Sequence, residues 1–180
     1  PIALPPDDPR VYLAGDRVVI HAAGTGELWI VPWGELPDFD AAQPPSLLLG
    51  LDSLVSVAPD GTLFAYSADT QEVFRVDAAR TDVVDARWAT GLGEIDGVQL
   101  TSVGDQWAVL DPDGRRLALE RGIVDLGALV GAGEDLALQE PSAAGDRLLV
   151  GTGTGLLGVP LSGASPVPIV DGRSGAPAAP

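Results

Sequence analysis

Cysteine and lysine are both absent from this 180-residue chain, and histidine occurs once. Without cysteine there are no disulfides, no thiolate nucleophile and no cysteine-ligated zinc, although the compartment stays open. Without lysine, all of the side-chain positive charge is carried by ten arginines, set against 26 acids for a net charge of −16. A surface of that sign repels nucleic-acid phosphates and anionic headgroups, so no nucleic-acid partner is expected. Long apolar runs are missing too. The longest, such as Ser46 to Leu51, fall far below the ~18 residues of a spanning helix, so this segment is not expected to insert directly into a membrane. No basic and apolar leader opens the chain. Its first residue is Pro1, which reads as a segment cut from a longer protein with any signal or anchor upstream.

Helical periodicity is also lacking: no window of a dozen residues free of glycine and proline carries an apolar stripe of period 3.6. What is abundant is turn chemistry, 23 Gly and 16 Pro in a chain that is 46% hydrophobic. Many short strands separated by many turns fit that balance. One phrase recurs, a Gly/Asp turn that launches an apolar strand: Gly15-Asp16 before Arg17–Ala22, Pro59-Asp60-Gly61 before Thr62–Ser67, Gly104-Asp105 before Gln106–Asp111, and Gly145-Asp146 before Arg147–Gly151. Asp16, Asp60, Asp105 and Asp146 are spaced by 44, 45 and 41 residues. A period of roughly 40–50 residues of short strands marks a propeller-like array.

The fold class is therefore all-β, a β-propeller fragment of about four four-stranded antiparallel blades, read as one domain over 1–180 with blades near 10–50, 53–89, 97–126 and 135–171. In the first blade Leu28, Ile30 and Pro32 alternate with Trp29, Val31 and Trp33, so both faces of the Glu27–Trp33 strand should be covered. The polar, proline-rich stretch Glu35–Pro45 should loop out before a strand at Ser46–Gly50. The tail 172–180 resembles the run-in to a blade that is not present. Terminal blades would leave faces without a neighbour, which four blades closing on themselves or a homodimer through those faces would cover.

The segments Gly24-Thr25-Gly26-Glu27-Leu28-Trp29 and Pro59-Asp60-Gly61-Thr62-Leu63-Phe64-Ala65-Tyr66-Ser67 resemble quinoprotein-type β-propeller repeats. The runs Ser67–Val73, Val124–Gly133 and Val170–Pro180 resemble the propeller-like extracytoplasmic region of large actinobacterial surface proteins that carry fibronectin type III or other immunoglobulin-like domains. That resemblance implies an outward-facing, membrane-tethered parent of uncharacterised role and supplies no catalytic residue.

His21 is the only available base for a serine nucleophile, it sits at a strand end where partial exposure is expected, and no Gly-x-Ser-x-Gly elbow occurs. Gly153, Gly155 and Gly158 satisfy Gly-x-Gly-x-x-Gly, but Pro160 denies the helix that must receive a pyrophosphate. Asp111, Asp113 and Gly114 begin like a calcium loop, yet the twelfth position is Gly122 and not a glutamate. Glu35, Asp38 and Asp40 beside Phe39 form an acidic loop that reads as solvated; as paired carboxylates they would serve a glycoside hydrolase or lyase. Among the four tryptophans Trp107 should pack between blades, whereas Trp33 and Trp88 end strands. Trp33, Phe39 and Trp88 are thus the candidate binding residues, with no catalytic residue, no metal site and no cofactor expected. The function expected is a non-catalytic scaffold or interaction module of an exported, surface-located protein. Its alternatives are a saccharide- or peptide-binding propeller, for which the acidity favours basic peptides, and the carboxylate enzyme.

Overall fold

The two-residue turns set the geometry. Gly15 adopts φ 63°, a left-handed conformation that glycine takes without steric cost, and Gly15-Asp16 folds Pro9–Ala14 (β1) back on Arg17–Ala22 (β2) with Ala14 opposite Arg17. Gly104, at φ 59°, does the same for Gln99–Val103 (β9) and Gln106–Asp111 (β10). Two-residue hairpins match the right-handed strand twist. At Pro59-Asp60-Gly61 the turn is longer, and the Asp60 carboxylate accepts the Thr62 N–H at 2.9 Å.

The computed structural model describes residues 4–6, 8–79, 84–131, 133–139, 147–162, 164–171 and 176–177. The Gly145-Asp146 turn, positions 82 and 83 of the outer strand expected at Asp82–Trp88, and most of the 172–180 tail lie outside them. The chain divides into two units, Pro1–Ala89 and Thr90–Pro180, each holding two antiparallel sheets in which sequence neighbours are sheet neighbours.

In the first unit one sheet is β1, β2, Glu27–Pro32 (β3) and Leu47–Leu48 (β4). The other is Leu54–Val57 (β5), Leu63–Ser67 (β6), Glu72–Val76 (β7) and Val84–Ala89 (β8). Strand alternation sends Val19, Leu28 and Ile30 of the first sheet into one core with Val55, Leu63, Ala65, Phe74 and Val76 of the second. The opposite face of the first sheet carries Val18, Ile20, Ala22 and Trp29, all buried, with Leu36 and Phe39 packed over them. Both faces of β2 and β3 are thus apolar and covered, and the second cover is the chain's own segment after β3. This face is closed only in part. On edge strand β1, Val11 and Leu13 pair opposite Ile20 and Val18 yet remain 51% and 63% exposed.

The second unit pairs a sheet of β9, β10, Arg116–Leu119 (β11) and Gly122–Asp125 (β12) with a sheet of Leu136–Leu138 (β13), Arg147–Thr152 (β14), Gly155–Pro160 (β15) and Val167–Asp171 (β16). A two-residue strand, Ala176–Pro177 (β17), pairs with β16. Ala108, Leu110, Leu117 and Leu119 meet Leu148, Val150, Leu157 and Val159 in its core. Leu126, fully buried just after β12, joins that core, and the Val130 N–H bonds its carbonyl at 3.1 Å. Trp107 is buried on the reverse face of β10, two residues from Val109.

Candidate functional site

The segment that covers the first sheet also builds its most distinctive concavity. β3 ends at Pro32, one residue earlier than the alternation suggested, because the Trp33 N–H turns aside to the Asp16 carbonyl at 3.0 Å. A 3-10 turn, Trp33–Asp38, follows with Pro37 inside it. Two hydrogen bonds then tie the returning chain to β3: the Trp29 indole Nε1–H donates to the Gln43 carbonyl at 3.1 Å, and the Ile30 N–H donates to Ser46 Oγ at 3.1 Å. The expected loop over Glu35–Pro45 is therefore a strap strung across the sheet, and the strand expected at Ser46–Gly50 shrinks to Leu47–Leu48.

Between strap and sheet lies a cleft of about 260 Å³, lined by Trp29 and Phe39, by Pro32 and Pro44, and by Glu35 and Asp38. The two rings stand 6.0 Å apart at 80°, edge to face. Trp29 is 4% exposed and its indole N–H is already committed, so its ring is fixed in place. Glu35 and Asp38 are exposed on the rim. Asp40 is not part of the lining; its Oδ1 accepts the Ala42 N–H at 2.9 Å and closes a turn in the strap.

Of the candidate binding residues, Phe39 lines this cleft and Trp33, 61% exposed, begins the strap. Trp88 lies in the second sheet, half-buried on β8 with its ring 6.4 Å from that of Phe64. The structure therefore gathers Trp33 and Phe39 on one segment and holds Trp88 apart. The parts missed by sequence reasoning are Trp29, Gln43, Pro44 and Ser46. The one signal for them was that both faces of β3 are apolar, which requires a second cover.

A broader groove of about 430 Å³ runs along the turns of the two sheets, lined among others by Asp16, Arg17, Asp60, Arg75, Asp77 and Asp85. Carboxylates from different blades do share it, but they have local work. Asp85 pairs with Arg75 at 2.6 Å, Asp60 and Asp77 accept the N–H groups of Thr62 and Ala79, and Asp16 stands 3.6 Å from Arg17.

His21 does not have the partial exposure expected of a strand end. It is fully buried on the core-facing side of β2, with Nε2 2.9 Å from Ser53 Oγ and Nδ1 without a hydrogen-bond partner. Burial, with the Arg10 charge second and Asp8 opposing, lowers its pKa to about 4. Asp111 likewise is bound by its own turn, accepting the Gly114 N–H at 2.7 Å and pairing with Arg116 at 2.6 Å, while Arg116 also donates to the Leu92 carbonyl. Among the described residues no group of three His, Cys, Asp or Glu side chains could hold a metal ion. Gly155 and Gly158 belong to strand β15, and Ile169 packs where a side chain at Gly158 would lie.

Four antiparallel meanders, packed in pairs through apolar cores, are blades of the β-propeller class. Comparison with solved structures supports that class. The chain is similar to the extracellular domain assigned to a hybrid two component system of B. thetaiotaomicron, with a TM-score of 0.58 at 11% identity, over 88% of this chain and 22% of that one. It is also similar to virginiamycin B lyase from Staphylococcus aureus, with a TM-score of 0.52 at 11% identity, over 91% of this chain and 55% of that one. The chain thus spans just over half of one neighbour and about a fifth of the other. No protein-family model matches it, and no curated protein does. No helix among the described residues is long and apolar enough to cross a membrane.

Proposed function

We propose that the chain is a non-catalytic interaction module, a propeller scaffold within an exported surface protein of the kind its turn motifs resemble, and that it binds positively charged protein segments. The observation that carries this reading is the strap, which turns a sheet face into a concave aromatic surface with carboxylates at its mouth. The net charge of −16 favours cationic partners over a long range and speeds their encounter. Catalysis by carboxylates is disfavoured because a general acid needs a carboxyl desolvated enough to keep its proton. Here Asp16 is 91% exposed and Asp85 51% exposed in their side chains. An extracytoplasmic site for the chain agrees with the extracellular domain among its fold neighbours.

Calorimetric titration with an arginine-rich peptide, an uncharged peptide and an acidic peptide tests the reading. Saturable heat is expected with the basic peptide alone, weakening from low to high salt as exposed charges are screened. Equal binding of all three, or of none, would overturn it. Trp33 supports a second reading, stacking on a sugar, because this large aromatic residue is 61% exposed. Binding of a neutral oligosaccharide that resists salt and is lost in Trp33→Ala would favour that alternative.

A further inference from the structure

We propose that the cleft beneath the strap receives a single guanidinium group, the arginine side chain of a bound segment. This deepens the interaction-module reading and rests on it. Size is the first argument. Pockets that enclose a drug-sized ligand run from about 300 to 1,000 Å³, and this cleft, at about 260 Å³, suits one side chain better than an oligosaccharide or a nucleotide.

The lining selects the chemistry. Trp29 and Phe39 form an aromatic corner whose planes meet at 80°; Trp29 is its buried floor, and Phe39, only partly buried, is the ring that can meet a cation through its quadrupole. Pro32 and Pro44 give rigid apolar walls for a methylene stem. Glu35 and Asp38 supply acceptors at the mouth and no cationic side chain lines the cleft, so an anion is repelled and a cation left unopposed. Arginine fits this set better than lysine. Its planar, weakly hydrated fork can lie against a ring while donating sideways to a carboxylate, whereas an ammonium keeps its water and pulls toward solvent.

The arrangement is preformed. The indole bond to Gln43, the Ser46 bond to β3 and the burial of Trp29 hold the floor before any ligand arrives. Little side-chain freedom is then lost on binding, which is what makes a shallow site useful.

The test uses the whole chain and three peptides that differ at one central residue, arginine, citrulline or lysine, followed by the indole and backbone amide signals in heteronuclear NMR. With the arginine peptide, saturable shifts are expected at the Trp29 indole N–H and along residues 35–44. The uncharged citrulline isostere should bind at least about tenfold more weakly, since a charge-assisted bond is roughly twice as strong as a neutral one, and lysine should fall between them. Glu35→Gln combined with Asp38→Asn should abolish the preference for arginine over citrulline while leaving the spectrum of the folded chain intact. Equal binding of arginine and citrulline, or a preference that survives the double substitution, would overturn the guanidinium site. Arginine-dependent shifts confined to the Asp16 and Asp60 groove would reject the cleft but keep the interaction module. No binding of any cationic peptide would reject both.

Discussion

Acidification should loosen the first unit through one buried imidazole. His21 is fully buried, its Nε2 shares a hydrogen bond with Ser53, and its Nδ1 faces no acceptor. A proton on Nδ1 would be a buried cationic donor with nothing to bond, and Arg10, paired opposite His21 across the β1–β2 ladder, adds like charge. The ordinary imidazole value of 6.5 is therefore lowered to about 4 in the folded chain. The sign follows from proton counts. Above pH 6.5 the ring is neutral in both states and pH has no effect through it; between 6.5 and 4 the unfolded chain binds a proton that the folded chain refuses, so stability falls as pH falls. Each pH unit is worth about 1.4 kcal/mol, which gives a loss of about 3 kcal/mol by pH 4. His21→Gln keeps a polar group near Ser53 but cannot titrate, so the difference between the two proteins isolates His21. Urea unfolding followed by tryptophan emission suits the measurement, because Trp29, Trp33 and Trp88 all belong to the first unit. The gap between the two proteins should shift against the native chain by about 3 kcal/mol from pH 7 to pH 4. A gap that stays flat would mean that the seam hydrates His21 or supplies Nδ1 with an acceptor, and would refute the reasoning.

Three further outcomes follow from packing. Gly26→Ala would drive a methyl into the Gly50 backbone at a position of φ 71°, and a loss of about 3 kcal/mol in chemical denaturation is expected. Arg116→Met leaves the buried Asp111 carboxylate with only its turn N–H; breaking a pair with one partly exposed member should cost about 2 kcal/mol, readable as a lower unfolding midpoint of the second unit. Leu126→Ala leaves a cavity in the second unit's core and should cost about 2–5 kcal/mol, with hydrogen exchange quickening in β11 and β14 but not in β2.

The strands launched by Gly15-Asp16 and Gly104-Asp105 were legible because a two-residue turn fixes both the reversal and the register, and one register decides every face that follows. Their ends were less so. β3 stops at Pro32 because a non-local bond, Trp33 to Asp16, wins over continued alternation. The burial of His21 was hidden for a related reason. Its place near a strand end suggested exposure, but its parity with Val19 put it on the core face, where Ser53, just ahead of β5, meets it. The strap was the hardest feature to foresee: Glu35, Pro37, Asp38 and Asp40 compose a solvated loop, and only Leu36 and Phe39 among them mark an inner side.

The strap also bears on how the two apolar faces of the first sheet are covered. A sheet apolar on both faces was expected to want a second blade, another chain or a closed ring. In the first sheet Val18, Ile20, Ala22 and Trp29, on the face away from the second sheet, have Leu36 and Phe39 of the 14-residue connecting segment 33–46 packed against them. Covering with a loop costs more ordered backbone per apolar contact than covering with a sheet, and it leaves β1 with Val11 and Leu13 still exposed. It gives something a flat blade interface lacks: a curved apolar floor with a polar rim. The same residues that cover this face are therefore the ones that make the cleft, so loosening the strap should uncover Trp29 and erase the site together. Phe39→Ala tests that coupling. If strap and site are one device, Trp29 emission should shift to the red, as an indole newly in water does, and the arginine peptide should lose its saturable signal in the same variant; a blue, unshifted Trp29 beside lost binding would show Phe39 to be a ligand contact and not the pin of the strap.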